Sequence, residues 1–208
     1  MRRAASWGRA PAREGAAWGK APIELRATYL STEEADHLMS HLVGATPWRT
    51  SSLTMYGRTI AMPRLIAWYA DAPYTFSGST QPPNAWTPEL AALRERLAAD
   101  TGAPFNSVLL NLYRDGQDSI SWHSDDEAEL GPAPTIASVS LGATRDFVMR
   151  RKDDHTVKET VALTHGSLVV MRGDSQSAWQ HAVPKRARVT EPRINLTFRW
   201  FEPRAEHP

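Results

Sequence analysis

Apolar and polar residues alternate with a period of two over segments at 64–70, 105–113, 135–141, 145–151, 155–163, 167–173 and 193–201. That period puts successive side chains on opposite faces of an extended backbone, so each segment reads as a strand. Gly, Pro, Asn and Asp punctuate the gaps and supply turns. Two stretches carry helical spacing instead. In "YLSTEEADHLMSHLVG", Ser31 followed by Glu34 makes a capping box that starts a helix, and Gly44 marks its end. In "TPELAALRERLAADTG", Thr87 is the N-cap, Pro88 the first helical residue and Gly102 the stop, with Leu90, Leu93 and Leu97 as the apolar stripe. Many short strands with two helices predict a mostly β fold, a barrel or jelly roll with the helices packed on one face.

The opening "MRRAASWGRAPAREGAAWGK" has no periodic apolar face, and its Gly and Pro residues break any amphipathic helix. Residues 1–22 are therefore expected to be a basic, loosely ordered arm, and 23–208 a single domain. Charge is balanced, 24 basic against 23 acidic residues, so nucleic-acid binding would have to rest on a local patch. The absence of cysteine removes disulfides and thiolate ligands, leaving His, Asp and Glu to hold any metal. No apolar run is long enough to span a bilayer and none forms a secretory h-region. The expectation is a soluble intracellular protein, cytoplasmic or, in a eukaryote, nuclear.

The chemistry concentrates in "SWHSDDE", where His123 and Asp125 form the only H-x-D or H-x-E pair in the chain. On a strand or at its end, residues i and i+2 reach the same point. Imidazole plus carboxylate is two-thirds of the 2-His-1-carboxylate triad that holds non-haem Fe(II) with positions left open. A third ligand must come from another strand, and His165 in "LTHGSLVV" and His181 in "WQHAVPK" are the choices. His165 starts a strand at a glycine turn and reads as structural, whereas His181 lies in a short strand that ends at a turn. In "PRINLTFRW", Arg193, Asn195, Thr197 and Arg199 share one strand face. Two arginines directed into a β core need anions, and a dicarboxylate would supply two; the alternative is an exposed face of solvated charges. Asn111 and Tyr113 also share a face and offer an amide and a phenol.

The ordered set "NLYRDG", "WHSDDE", "IASVSLGATRDFVMRRK", "HGSLVVMRG", "WQHAVPK" and "PRINLTFR" resembles the AlkB-type Fe(II)/2-oxoglutarate-dependent dioxygenases, closest to the homologue 2/3 subgroup of alkylation-repair demethylases. "PRLIAWYADAPYTFSG" extends the resemblance, which runs from about residue 47 to 201. It implies a double-stranded β-helix core, with a hairpin lid from 50–69, and an enzyme using Fe(II), 2-oxoglutarate and O2. His123, Asp125 and His181 would bind iron. Asn111, Tyr113, Arg193, Asn195, Thr197 and Arg199 would contact 2-oxoglutarate, with Arg199 on the distal carboxylate and Arg193 near the metal-bound end. Tyr74, Phe76, Asp126, Glu127, Arg64 and Trp48 would face the substrate, Phe76 stacking on a flipped base.

The implied reaction removes N-methyl groups of the 1-methyladenine and 3-methylcytosine type from single-stranded DNA or RNA, by a monomer. Carboxylates beside the iron suit it, because such a methylated ring is cationic. Asp126 and Glu127 supply them, unless Glu127 merely caps a turn. Arg58, Arg64, Arg150, Arg151 and Lys152 are candidates for phosphate contacts. Two other readings stand beside this one: a dioxygenase of the same class acting on a protein or small molecule, and a non-catalytic β-barrel that binds nucleic acid.

Overall fold

The computed structural model describes residues 16–17, 19–55, 58–72, 74–76, 79–81 and 83–202. Its helices are α1 (Thr32–Ala45) and α2 (Pro88–Thr101). The strands before α2 are β1 (Ala16–Ala17), β2 (Ile23–Arg26), β3 (Arg49–Met55), β4 (Arg58–Ala70), β5 (Tyr74–Phe76) and β6 (Ser79–Gln81). After it come β7 (Ser107–Tyr113), β8 (Ile120–His123), β9 (Ile136–Gly142), β10 (Arg145–Arg151), β11 (Lys158–Leu163), β12 (Leu168–Met171), β13 (Trp179–Val183) and β14 (Arg193–Arg199). A large sheet runs β1-β2-β12-β9-β14-β7-β4-β3, a smaller one β11-β10-β13-β8, and β5 pairs with β6. From β8 onward the chain passes repeatedly between the large and small sheets, so the mostly β, double-stranded β-helix expectation holds. Among the described residues no helix is long and apolar enough to cross a membrane.

Local signals place the helices. Ser31 Oγ accepts from the Glu34 amide at 3.1 Å while Glu34 Oε2 accepts from the Ser31 amide at 2.9 Å, closing the capping box. The helix runs past Gly44 and stops at Thr46, whose backbone is extended, so Gly44 is not the terminator the sequence suggests. Gly102 does end α2, in the left-handed region at φ 68°. Leu90, Leu93 and Leu97 are fully buried, together with Leu38 and Leu42 of α1, against Val108, Leu110, Ile194, Leu196 and Phe198 of the large sheet.

β14 is buried on both faces because helices cover one side and the small sheet the other. Its even-numbered residues pack under the helices, which turns Arg193, Asn195, Thr197 and Arg199 into the space between the sheets. A second apolar core, with Phe147, Met149, Val161 and Trp179 from the small sheet and Ile136, Val169 and Met171 from the large one, closes that space at one end. Of the expected arm, Ala16 and Ala17 pair with Leu25 and Glu24 and Ala21 is buried, while residues 1–15 and 18 lie outside the described residues.

Gly142 closes the turn between β9 and β10 at φ 83°, and a Cβ there would stand 2.4 Å from the Pro192 carbonyl. Its amide donates to His165 Nδ1 at 2.8 Å. Gly142→Ala should cost about 1–3 kcal/mol, read as a lower midpoint in urea with an unchanged slope.

Candidate metal centre and co-substrate pocket

His123 ends β8 and His181 lies in β13, directly opposite it in the antiparallel register. Their rings meet edge to face with centroids 4.2 Å apart, and Phe147 packs on the other side of His181 at 5.2 Å. Asp125 follows β8 in a segment pinned at two points. Ser124 Oγ donates to the Trp179 carbonyl at 2.8 Å, and the Asp125 amide donates to Gln176 Oε1 at 2.9 Å. One donor atom from each of His123, Asp125 and His181 then lies within 4.8 Å of the others. Gln176 went unnoticed in the sequence, where an isolated glutamine between serines reads as surface; its burial reveals it.

His165, the other choice for third ligand, is used by the fold. Its Nδ1 accepts from Gly142 and its Nε2 lies 3.2 Å from Asp36.

The protonation states suit a cation. His123 Nδ1 sits 2.8 Å from the Ser121 carbonyl, so this nitrogen carries the proton and Nε2 keeps its lone pair. Burial pushes both imidazoles down, His181 to about 3, with the two rings opposing each other's charge at His181. Burial by itself would raise Asp125, but Arg199, then His181 and His123, hold its carboxyl well below the usual carboxylate range. Neutral imidazoles and an ionised carboxylate are the forms that ligate metal, so protons compete little at neutral pH. His181 Nδ1 is buried without a hydrogen-bond partner.

β14 lies between β7 and β9, pairing Arg193 with Tyr113 and Gly142, and Asn195 with Asn111 and Ser140. Asn195 Nδ2 donates to Ser138 Oγ at 2.7 Å, and Thr197 Oγ1 donates to Asn195 Oδ1 at 2.8 Å. Asn111 Oδ1 accepts from Arg64 Nε at 2.7 Å. The two arginines differ sharply. Arg199 places Nε and Nη2 on Asp125 Oδ2, at 3.2 and 2.8 Å, and so belongs to the metal end. Arg193 is 1% exposed and stands over the Tyr113 ring at 5.1 Å. Its Nη2 donates to Ser140 Oγ at 2.9 Å, while Nε and Nη1 have no hydrogen-bond partner among the described residues. Burial and the neighbouring Arg145 charge both push this guanidinium down from its ordinary value. A buried cation with two unused donors fits an arriving carboxylate. Arg199 thus stands against a member of the triad, and Arg193, six residues away along β14, against Ser140 and Tyr113.

On the substrate side, Asp126 is exposed and pairs with Lys152 Nζ at 3.0 Å. Glu127 is partly buried, with Oε2 unpartnered; burial pushes its carboxyl up and the Arg199 charge opposes that. Glu127 is the N-cap of the short 3-10 turn at Ala128–Leu130 through its backbone, its carbonyl accepting from the Leu130 amide at 3.0 Å, while its side chain makes no capping bond. Arg64 is buried against Asn111 rather than presented to solvent, which removes it from the phosphate candidates and puts it beside the co-substrate face. Trp48 packs against the helix-side core, on the opposite face of the large sheet from the triad, so it does not line the site. A tryptophan beside a strand is apolar enough for either face, and only the packing of distant elements decides. Trp48→Leu should accordingly lower stability by about 1–3 kcal/mol in chemical denaturation and leave catalytic constants within about twofold.

Tyr74 and Phe76 belong to β5, and the expectations for their side chains lie outside the described residues, as does that for Arg58. Arg151 is bound to Asp153 at 2.7 and 2.6 Å. Arg150 stacks over Trp122 at 4.3 Å and donates to Gln180.

With the geometry set out, residues 23–199 match the model of the 2OG-Fe(II) oxygenase superfamily. The chain belongs to that superfamily. Its resident chemistry is Fe(II) with 2-oxoglutarate and O2, and the triad and Arg193 are the residues here that fit those groups. Within the superfamily the AlkB-type resemblance holds. The chain is 46% identical over 184 residues to the human alpha-ketoglutarate-dependent dioxygenase alkB homolog 3, covering 84% of this chain and 64% of that protein. It is 43% identical over 182 residues to the mouse DNA oxidative demethylase ALKBH2, covering 82% of this chain and 76% of that protein. The chain thus spans about two thirds of the length of the human relative. Among solved structures it superposes on "The structure of OsALKBH1" with a TM-score of 0.61 at 18% identity, covering 88% of this chain and all of that one, a likeness of fold.

Proposed function

We propose that this member of the superfamily is an oxidative demethylase that removes N-methyl groups of the 1-methyladenine and 3-methylcytosine type from DNA or RNA. The observation that carries the substrate class is Glu127, a partly buried carboxyl with an unpartnered oxygen two residues from the ligand Asp125. A phosphate backbone repels an acid there, whereas the cationic ring of an N-methylated base holds it ionised and is held by it. The ALKBH2 and ALKBH3 relatives support the same reading.

In this reading His123, Asp125 and His181 would hold Fe(II), and a 2-His-1-carboxylate set of this kind would leave positions for the co-substrates. Arg193 and Tyr113 receive the far carboxylate of 2-oxoglutarate, Asn111, Asn195 and Thr197 line its path, and Arg199 keeps Asp125 ionised and oriented. When bound, Fe(II), 2-oxoglutarate and O2 supply the oxidation. That chemistry would hydroxylate the N-methyl carbon with one atom of O2, the other going into succinate as 2-oxoglutarate lost CO2, and the N–CH2OH product would release formaldehyde. The base must leave its stack to reach a buried metal, so single strands cost less to engage, and Phe76 and His123 are the stacking partners the reading assigns. The β3–β4 hairpin acts as the lid. The protein works as a monomer inside the cell, in the cytoplasm or, in a eukaryote, the nucleus.

The test is a single-stranded oligonucleotide carrying one 3-methylcytosine, given to the anaerobically loaded enzyme and then O2, with product mass as the readout. Loss of one methyl mass is expected. An untouched oligonucleotide with continued 2-oxoglutarate decarboxylation would move the substrate to a protein or small molecule. Glu127→Gln should lower kcat/KM for the methylated strand by about 10- to 100-fold while uncoupled 2-oxoglutarate turnover persists.

A further inference from the structure

Arg145 opens β10 and is 1% exposed, yet it pairs with no carboxylate among the described residues. It spends its donors on three backbone carbonyls: Nη1 on Asp115 at 3.1 Å, and Nη2 on Asp118 at 2.9 Å and on Pro184 at 2.7 Å. Asp115 and Asp118 lie in the turn that leaves Tyr113, and Pro184 begins the loop that enters Arg193. The same guanidinium stands over the Tyr113 ring at 5.6 Å, so both Arg145 and Arg193 lie against that ring. The two loops also touch each other. Gly116 donates to Val189 and accepts from Arg186, at 2.8 and 2.7 Å, and a Cβ on Gly116 would stand 1.7 Å from the Arg186 carbonyl.

A surface arginine would meet water or an acid. Here one buried side chain ties the exit of β7 to the loop that enters β14, the two strands that carry the proposed carboxylate receptors. We infer that Arg145 is a positioning residue for the far end of the co-substrate pocket, fixing Tyr113 and Arg193 relative to each other and so selecting a five-carbon dicarboxylate. This rests on the reading that Tyr113 and Arg193 take the far carboxylate. Its charge also adds to the positive potential at that end.

The test measures binding of N-oxalylglycine and of 2-oxopentanoate, which lacks the far carboxylate, to the full chain loaded with Mn(II). Arg145→Lys keeps the charge but cannot span three carbonyls. It should weaken N-oxalylglycine about 10- to 100-fold and leave both 2-oxopentanoate and Mn(II) affinities unchanged. Equal losses for the two ligands, or none, would overturn the inference, because a general structural role moves both alike. Hydrogen exchange on the wild-type protein stands independently of how the variant folds. N-oxalylglycine should slow exchange in 114–118 and 184–192 together, and protection confined to β7 and β14 would also overturn it. Wild-type protein that binds Mn(II) but not N-oxalylglycine would remove the co-substrate reading itself, whereas tight binding undisturbed by Arg145→Lys removes only the role of Arg145.

Discussion

Asp125→Ala should abolish tight metal binding and reduce demethylation by more than about 1,000-fold, the largest single loss available in the site. Removing even an indirect support of a metal ligand costs about 10- to 100-fold in affinity, and here a ligand itself is lost. The substitution has a second effect that separates it from His123 or His181 variants. Arg199 places two nitrogens on Asp125 Oδ2 in a buried pair, so alanine leaves a buried guanidinium unpaired. Breaking a buried pair from one side costs about 3–5 kcal/mol, so the metal-free protein should lose that much stability as well. Asp125→Asn, which keeps the shape and some hydrogen bonding, should lose metal affinity with a smaller stability penalty. Mn(II) titration beside urea denaturation of the metal-free proteins reads both effects. Metal affinity within tenfold of wild type in Asp125→Ala would remove Asp125 from the ligand set.

Arg193→Met should behave in the opposite way on stability. Arg193 is a buried cation with two unused donors and an unfavourable charge from Arg145. Exchanging it for an apolar side chain of similar length removes a desolvation cost, so the metal-free, co-substrate-free protein should be as stable as wild type or more stable by about 1–2 kcal/mol. The same change should raise KM for 2-oxoglutarate by about 100-fold or more, since a charge-assisted pair of hydrogen bonds to the carboxylate is lost. Metal affinity should stay within about twofold, because Arg193 touches none of the triad. A variant that gains stability while losing the co-substrate would show that this cation is retained for function. An unchanged KM would mean that the far carboxylate lies elsewhere, and Arg199 would become the residue to test.

These two substitutions also separate what local rules reach from what they do not. The alternation that made 193–199 a strand follows from backbone geometry alone, as do the Ser31 and Thr87 caps, since each involves residues within a few positions of one another. The pairing of His123 with Asp125 was legible for the same reason, and the resemblance supplied His181. The large sheet then confirmed one-sidedness in the arginine strand: Ile194, Leu196 and Phe198 under the helices force the intervening residues inward.

What a side chain meets when it arrives is another matter, because that depends on strands far away in the chain. Arg193 and Arg199 look interchangeable on one face of one strand. Only the placement of Asp125 beside one and of Tyr113 beside the other sets their order along the pocket. Trp48, Gln176 and Arg145 were misplaced or unseen in the sequence for that same reason. Sequence by itself determined the elements, the faces and the chemical types available, through interactions of short range. Tertiary structure alone decided which of those groups meet, because burying Asp125 with Arg199, and leaving Arg193 without an acid, are consequences of packing two sheets together.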